Sequence, residues 1–556
     1  MTARPTETLG SAPAIAPAAG RDGGREAAAA ARSDDVWACL HAIRRLEVGP
    51  VRLEPSRLVA PYRIVQDGST DETNLVYRYE ENVYDLADPG AADLARMQAV
   101  QVAFNYGLFC DEIVFRGDYD AHDRRFIEQM VENTSREIAV KKFLQPNPFL
   151  RGPAAELHAA PAGAVVRARW THAALRFEPA APDGAARPPA AADGATPPAA
   201  ARPRNRRPWG ADPSRAAVLS SGGKDSLLSF GLLREAGMDV HPIFINESGN
   251  HWLTALNAYR HLAAHHPGTA RVWTNSDRVF AWFARHLPCV RPDFLEVRAD
   301  DYPIRLWTVA VFLFGALPLL RARGIGRLVI GDEFDTTRRA THRGIPHFDG
   351  LYDQSFYFDR ALTRYFQRQG WGVQQFSILR PLSELLIQKI LAARYPDLLV
   401  HQVSCHAAHR EDDGRVHPCG RCEKCRRIVG MLAALGADPA RCGYRPQQVE
   451  TCLRALVAAG VHQEAECAEH VASLLVAQGR LPGAPAGARP HPEVMKLRLD
   501  REHAPVEDIP PDLREKLLPI YWEHADGAVR RSGGAWTNLP RLEAIGAVAG
   551  TVPVGS

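Results

Sequence analysis

The chain has 556 residues, more than one typical core, so two or more domains are expected. At 46% hydrophobic and 24% charged its composition is ordinary for a globular protein, and a formal net charge of +3 excludes any argument from bulk charge for nucleic acid or a membrane surface as partner. The start of the chain has no apolar run behind a basic stretch, and the longest apolar run, 306–320, is too short to span a bilayer comfortably, so a cytoplasmic protein without a membrane partner is expected.

Residues 1–34 are rich in Ala, Gly and Pro and read as disordered. From 35 to 177 the pattern predicts a smaller α+β domain, with an alternating strand at 75–79 and helical spacing over 92–109. It carries no catalytic motif. Residues 178–214 form a Pro/Ala-rich linker. Its end holds Arg202, Arg204, Arg206 and Arg207, read as a solvated linker surface rather than a nucleic-acid patch because no aromatic residues are interleaved.

Over 215–475 strands and helices alternate. Strands are predicted at 217–220, 240–245, 271–274 and 327–331, with helices to about 236, at 252–264 and, deeply buried, at 303–323. The alternation predicts an α/β fold with a parallel, Rossmann-like sheet that binds ligands beyond the carboxyl ends of its strands. The glycine loop after the first of these strands and Gly331-Asp332-Glu333 after the last should meet there. Residues 476–556 read as a C-terminal extension, partly disordered, with one amphipathic helix at 511–525.

Ser221-Gly222-Gly223-Lys224-Asp225-Ser226 stands between a strand and a helix. Glycines let the backbone turn sharply and approach an anion, and successive N–H groups and the helix dipole favour phosphate there. The hydroxyls of Ser221 and Ser226 are candidate phosphate donors, Lys224 a neutralising cation, and Asp225 a magnesium partner or a brace for the loop. A Walker A loop is excluded, because Val218 stands where that motif needs Gly and Asp225 where it needs Ser or Thr.

Cys419-x-x-Cys422-x-x-Cys425 with Cys405 fourteen positions earlier offers four thiolates to one structural zinc, and Gly420 permits the tight knuckle. Lys424, Arg426 and Arg427 would offset the charge of the thiolates. An iron–sulfur cluster and a redox or sulfur-transfer pair are the competing readings. His401, His406, His409 and His417 are nearby substitutes for Cys405, each better read as a loop histidine.

The loop resembles the SGGxDS signature of the PP-loop ATP pyrophosphatases. That resemblance implies a PP-loop domain that splits ATP between its α and β phosphates, with magnesium, and transfers AMP to a substrate oxygen. The cysteine spacing after such a loop is similar to the cyano-deazaguanine synthases, which activate a carboxylate and carry a structural zinc. Gln354-Ser355-Phe356-Tyr357-Phe358-Asp359, Leu379-Arg380-Pro381-Leu382-Ser383-Glu384-Leu385, Ser404-Cys405, the knuckle and Glu466-Cys467 more closely resemble the UDP-N-acetylmuramoyl-L-alanyl-L-glutamate epimerases of peptidoglycan synthesis. This resemblance implies adenylation of a peptide's terminal carboxylate followed by inversion at its α-carbon. Lys224, Asp225, Glu333 and Arg380 are then the candidate catalytic residues. Arg380 would hold a substrate carboxylate, and Glu333, or Glu384, would be the base. Cys467 reads as a proton carrier or as a small buried hydrophobe. A carboxylate-activating ligase on a small acid and a tRNA-modifying adenylating enzyme remain open, and the expected partner is a small-molecule or peptide carboxylate.

Overall fold

The computed structural model describes residues 35–540 apart from 67, 180–207, 248, 298–301, 349, 406, 460, 462–464, 484, 486–487 and 533. The 1–34 segment, most of the expected linker with its arginines, His406 and residues 541–556 lie outside the described residues. Among the described residues no helix is long and apolar enough to cross a membrane.

Strands β1 (Ile43–Val48), β2 (Arg52–Glu54) and β4 (Ser69–Tyr79) all pair antiparallel with β3 (Arg57–Gln66). Leu58, Ala60, Tyr62 and Ile64, then Leu75, Tyr77 and Tyr79, are buried at the two-residue period of a strand. Helix α1 (Pro89–Ala99) is capped by Asp88, and a tight 3-10 turn, Gln101–Tyr106, follows it. The helix expected over 92–109 therefore breaks at Val100. The turn aims Asn105 inward, where its Oδ1 accepts from the N–H groups of Leu306 and Trp307, each at 2.9 Å. β5 (Cys110–Arg116), α2 (Ala121–Ile138) and β6 (Ala174–Glu178) complete this part.

The alternating part runs β7 (Asp212–Leu219), α3 (Lys224–Glu235), β8 (Asp239–Glu247), α4 (Asn250–His265), β9 (Ala270–Thr274), α5 (Ser276–Arg285), α6 (Val309–Arg323) and β10 (Ile325–Val329). A hairpin, β11 (Arg339–His342) and β12 (Ile345–Phe348), then α7 (Phe356–Arg368) and β13 (Gln374–Phe376) follow. α6 starts six residues later than the expected 303. The carboxylate of Asp353 accepts from the N–H groups of Thr308, Val309 and Ala310 at 3.1, 2.9 and 3.2 Å and so sets the first turn.

The strands form one 11-stranded sheet in the order β13-β10-β7-β8-β9-β4-β3-β1-β5-β6, with β2 beside β3. From β13 to β9 every pairing is parallel. β4 joins β9 antiparallel, Tyr77 opposite Thr274 and Tyr79 opposite Val272, so the α+β and alternating parts share a sheet. α6 lies over that seam: Tyr77 and Tyr79 donate to the carbonyls of Val311 and Gly315 at 3.3 and 2.9 Å.

The chain leaves β7 toward β8 and β9 on one side, then returns to place β10 and β13 on the other. Beyond β7 and β10 the connections diverge to opposite sides, the topological switch at which such sheets usually bind ligands. Helices α3 and α8 (Glu384–Arg394) pack together over the face opposite α6. The small hairpin β14 (His409–Arg410) and β15 (Val416–His417), then α9 (Glu423–Ala434), α10 (Pro446–Ala459) and α11 (Ala465–Ala477), extend that layer.

Past residue 476 the amphipathic helix expected at 511–525 is present at Pro511–His524. β16 (Leu497–Leu499), α12 (Pro511–His524), β17 (Ala528–Ser532) and β18 (Ala535–Leu539) add a small sheet and a helix. Leu513, Leu517 and Tyr521 repeat at helical spacing and are buried in the same core, each worth about 1.5–3 kcal/mol. The Tyr521 hydroxyl donates to the carbonyl of Ile378 at 2.8 Å.

Candidate active site

The glycine loop leaves the sheet after Ser220, whose N–H still donates to Ile243 at 2.9 Å. Gly222 adopts φ +78°, and a Cβ there would stand 2.7 Å from the carbonyl oxygen of Thr254, so the turn requires glycine. The Gly222 carbonyl accepts from the N–H of Val403 at 3.2 Å. α3 then begins at Lys224, with Gly223 as a cap that supplies no side-chain acceptor for the first N–H groups. Ser226 is buried and its hydroxyl turns back to the carbonyl of Gly223 at 3.2 Å, which makes it a brace of the loop.

From the neighbouring strand, the end of β10 delivers Gly331, Asp332 and Glu333. A Cβ on Gly331 would stand 2.7 Å from Cβ of Asp225, so the two segments meet as closely as glycine permits. Lys224 Nζ lies 2.8 Å from Asp225 Oδ1, 3.7 Å from Glu333 Oε2 and 3.8 Å from Glu384 Oε2. Burial alone would lower the Lys224 pKa, but Asp225, Glu333 and Glu384 outweigh it and hold the ammonium above its ordinary range. Burial pushes the Glu333 carboxyl up to about 8 against the pull of Lys224, with Asp225 and Glu384 adding to the rise. Among the described residues Glu333 Oε2 has no hydrogen-bond partner.

Glu384 opens α8 behind its Ser383 cap and is gripped by Arg427, Nε to Oε1 at 3.2 Å and Nη2 to Oε2 at 2.5 Å. The spacing-based reading set Arg427 against the thiolates; its observed carboxylate partner is Glu384.

Arg380 is brought to the same neighbourhood but faces inward. It is 1% exposed, and its Nη2 meets Asp359 at 2.6 Å and Asp332 at 3.4 Å. Its Nη1 donates to the carbonyl of Gln354 and the hydroxyl of Thr336, both at 2.7 Å, and to Thr337 at 3.1 Å. This guanidinium ties β10, α7 and the 379–384 run together beneath Glu333.

Sequence reasoning passed over another buried pair at the carboxyl end of β8. Arg305 Nη2 lies 2.8 Å from both carboxylate oxygens of Glu247, Ser276 donates to Glu247 at 2.5 Å, and the guanidinium stands 4.6 Å from the ring centre of Phe280. Its members lie far apart in the chain and carry no local pattern. The nearest sequence signal is the fold rule that carboxyl strand ends collect function.

The cysteines converge as their spacing predicts. Cys422 caps α9 and Cys425 lies in its first turn, while Gly420, at φ +67°, packs where a Cβ would meet Gln448 at 2.5 Å. Sγ–Sγ separations are 3.6 Å for Cys405–Cys422 and Cys422–Cys425 and 3.8 Å for Cys419–Cys425, and all four sulfurs lie within 4.8 Å of one another. A zinc tetrahedron with bonds of about 2.3 Å has sulfur–sulfur edges of about 3.8 Å, so this group could hold a zinc ion. His401 stacks on His261 at 4.0 Å, His409 meets Glu411 at 3.2 Å, and His417 meets Asp413 at 3.2 Å. Cys467 is buried on α11 beside Glu466, which pairs with Arg338 at 3.2 Å.

No protein-family model matches the chain. A protein of a Micromonospora species is 28% identical over 214 residues, 38% of this chain and 43% of its own length. One from Xanthomonas oryzae pv. oryzae is 28% identical over 228 residues, 39% of this chain and 44% of its own. Both bear the name UDP-N-acetyl-alpha-D-muramoyl-L-alanyl-L-glutamate epimerase. The chain thus covers less than half the length of these curated relatives, and the likeness supports a relation to that epimerase family.

Proposed function

We propose that this chain is an ATP-dependent epimerase of the PP-loop kind, which adenylates the terminal carboxylate of a peptide or peptidoglycan precursor and inverts the adjacent α-carbon. The observation that carries the reading is the convergence, at the topological switch of the sheet, of Lys224, Asp225 and Glu333 with a helix start that no side chain caps. The names of the two relatives support inversion as the outcome.

In this reading the N–H groups of Gly223 and of the first turn of α3, with the Ser221 hydroxyl, bind phosphate oxygens. Lys224 balances charge as a substrate carboxylate oxygen attacks the α-phosphorus and the bond to pyrophosphate breaks. Esterified to AMP, the carboxyl no longer opposes a second negative charge, and its α-proton becomes acidic. Glu333, buried and poised near neutrality, exchanges that proton. Return of a proton to the opposite face and hydrolysis give the inverted acid and AMP. Asp225 is the residue that would hold magnesium, which when bound neutralises phosphate charge. Arg380 is a positioning residue in this scheme, since its guanidinium is taken up by protein groups. The four cysteines would hold zinc with every position filled by sulfur, a structural role.

The test is incubation with ATP and candidate peptide acids in heavy water, reading pyrophosphate and deuterium at the α-carbon. Both together support the proposal. Pyrophosphate without deuterium favours a carboxylate-activating ligase, and ADP as the main product overturns adenylation.

A further inference from the structure

The C-terminal segment reaches the candidate site from behind. Arg498, on β16, is fully buried. Its backbone N–H donates to the carbonyl of Pro381 at 2.9 Å. Its Nη2 and Nη1 lie 2.7 and 3.3 Å from the carboxylate oxygens of Asp335, and its guanidinium carbon stands 3.9 Å from the ring centre of Phe334. Four residues earlier, the carbonyl of Val494 accepts the Ser383 hydroxyl at 2.5 Å. One short segment therefore grips two runs of chain. Phe334 and Asp335 follow Glu333 directly, and Pro381 and Ser383 lead into Glu384. The two runs are also joined to each other, Phe334 N–H to the carbonyl of Leu382 at 3.1 Å. Glu333 and Glu384 are the carboxylates that stand on Lys224 from those runs.

We infer that Arg498 is a positioning residue of the active site, setting where Glu333 stands opposite Lys224 by clamping Phe334 and Asp335. The clamp uses what arginine alone offers: two parallel donors for one carboxylate and a flat cation that covers an aromatic ring. Lysine would reach Asp335 with a point charge and leave Phe334 uncovered. A buried guanidinium is costly unless its partner is held, so the pair fixes both segments rather than one.

The turnover arm of the test rests on the proposed adenylation; the exchange arm does not. The full chain is compared with R498K and R498M by hydrogen–deuterium exchange of peptides spanning 331–337 and 325–329, and by AMP formation from ATP. In R498M the 331–337 amides should exchange at least roughly tenfold faster while those of β10 keep their protection. The kcat should fall at least roughly tenfold with the KM for ATP within about threefold, and R498K should lie between. If R498M does not fold, R498M/D335N, which removes both charges, takes its place. Unchanged exchange at 331–337, equal acceleration throughout the chain, or a local loosening that leaves kcat intact would each overturn the inference. If the wild-type chain forms no AMP, adenylation falls, and the exchange arm alone decides whether Arg498 holds the Glu333 segment.

Discussion

Arg427 and Lys224 share one oxygen: Glu384 Oε2 lies 2.5 Å from Arg427 Nη2 and 3.8 Å from Lys224 Nζ. Arg427 stands two residues after Cys425, so the cysteine knuckle and the glycine loop are linked through a single carboxylate. A second link runs from Val403, two residues before Cys405, to the carbonyl of Gly222 at 3.2 Å. A metal at the cysteines would therefore brace the loop from both ends of its own site.

Replacing Arg427 tests that bridge. R427M leaves Glu384 buried without its main partner and should cost about 3–5 kcal/mol of stability. R427M/E384Q removes the uncompensated charge and should recover much of it. Chemical denaturation of R427M, E384Q, the double variant and the wild type, with the coupling read as a double-mutant cycle, checks both statements.

The purified chain should carry about one zinc, colourless, and C422S should lose it. Because a structural zinc can contribute on the order of 10 kcal/mol to folding, chelation should lower the melting temperature rather than act on turnover alone. Elemental analysis and absorption spectra decide the matter, a brown protein favouring iron–sulfur.

Gly331→Ala adds a methyl 2.7 Å from Cβ of Asp225, with backbone atoms of Asp225 next nearest. Overpacking of this kind costs about 1–3 kcal/mol. Its larger effect should fall on ATP binding, by pushing Asp225 out of reach of Lys224. Calorimetric titration with ATP should show at least roughly tenfold weaker affinity, with the metal content unchanged.

Glu333 carries a pH signature. Its carboxyl lies at about 8 in the folded chain against an ordinary value of 4.5. Between those values the folded state holds a proton that the unfolded state has released. The contribution is present in full below about 4.5 and is lost as the pH rises to about 8, with a slope approaching about 1.4 kcal/mol per pH unit. E333Q removes the titration, so its stability relative to wild type should improve from pH 5 to about pH 8 and level off above that. Parallel melting curves across that range measure the difference.

The parts legible in the sequence are those written in contiguous residues. The Ser221–Ser226 loop and the Cys419-x-x-Cys422-x-x-Cys425 run each hold their geometry within one turn, and the alternation from β7 to β10 shows in local periodicity. Partners distant in sequence left no such trace. Asp353 decides where α6 begins, Arg498 decides how Asp335 is held, and Asp332 and Asp359 claim the guanidinium of Arg380. Each is an ordinary polar residue locally, and its role exists only once the sheet has brought remote segments together. In the extension past residue 476 the spacing of Leu513, Leu517 and Tyr521 made the helix legible, while the small sheet of β16, β17 and β18 was not, because it stands in a stretch whose Ala, Gly and Pro content resembles a linker.

The seam between β4 and β9 also governs how the chain finds its fold. Pairing Tyr77 with Thr274 closes a ring of roughly two hundred residues, a contact far costlier in search time than any hairpin around it. The closure penalty grows only with the logarithm of ring size, so removing about twenty residues from the Pro/Ala-rich stretch inside the ring should alter stability by about 0.1 kcal/mol. Severing the ring is a different matter. A fragment beginning at Arg215 keeps the glycine loop and the cysteines, yet it bares the unpaired backbone of Ala270–Thr274 and the flank of α6. A growing chain that has not yet reached Thr274 bares β4 in the same way, and either open edge invites pairing with another copy of itself.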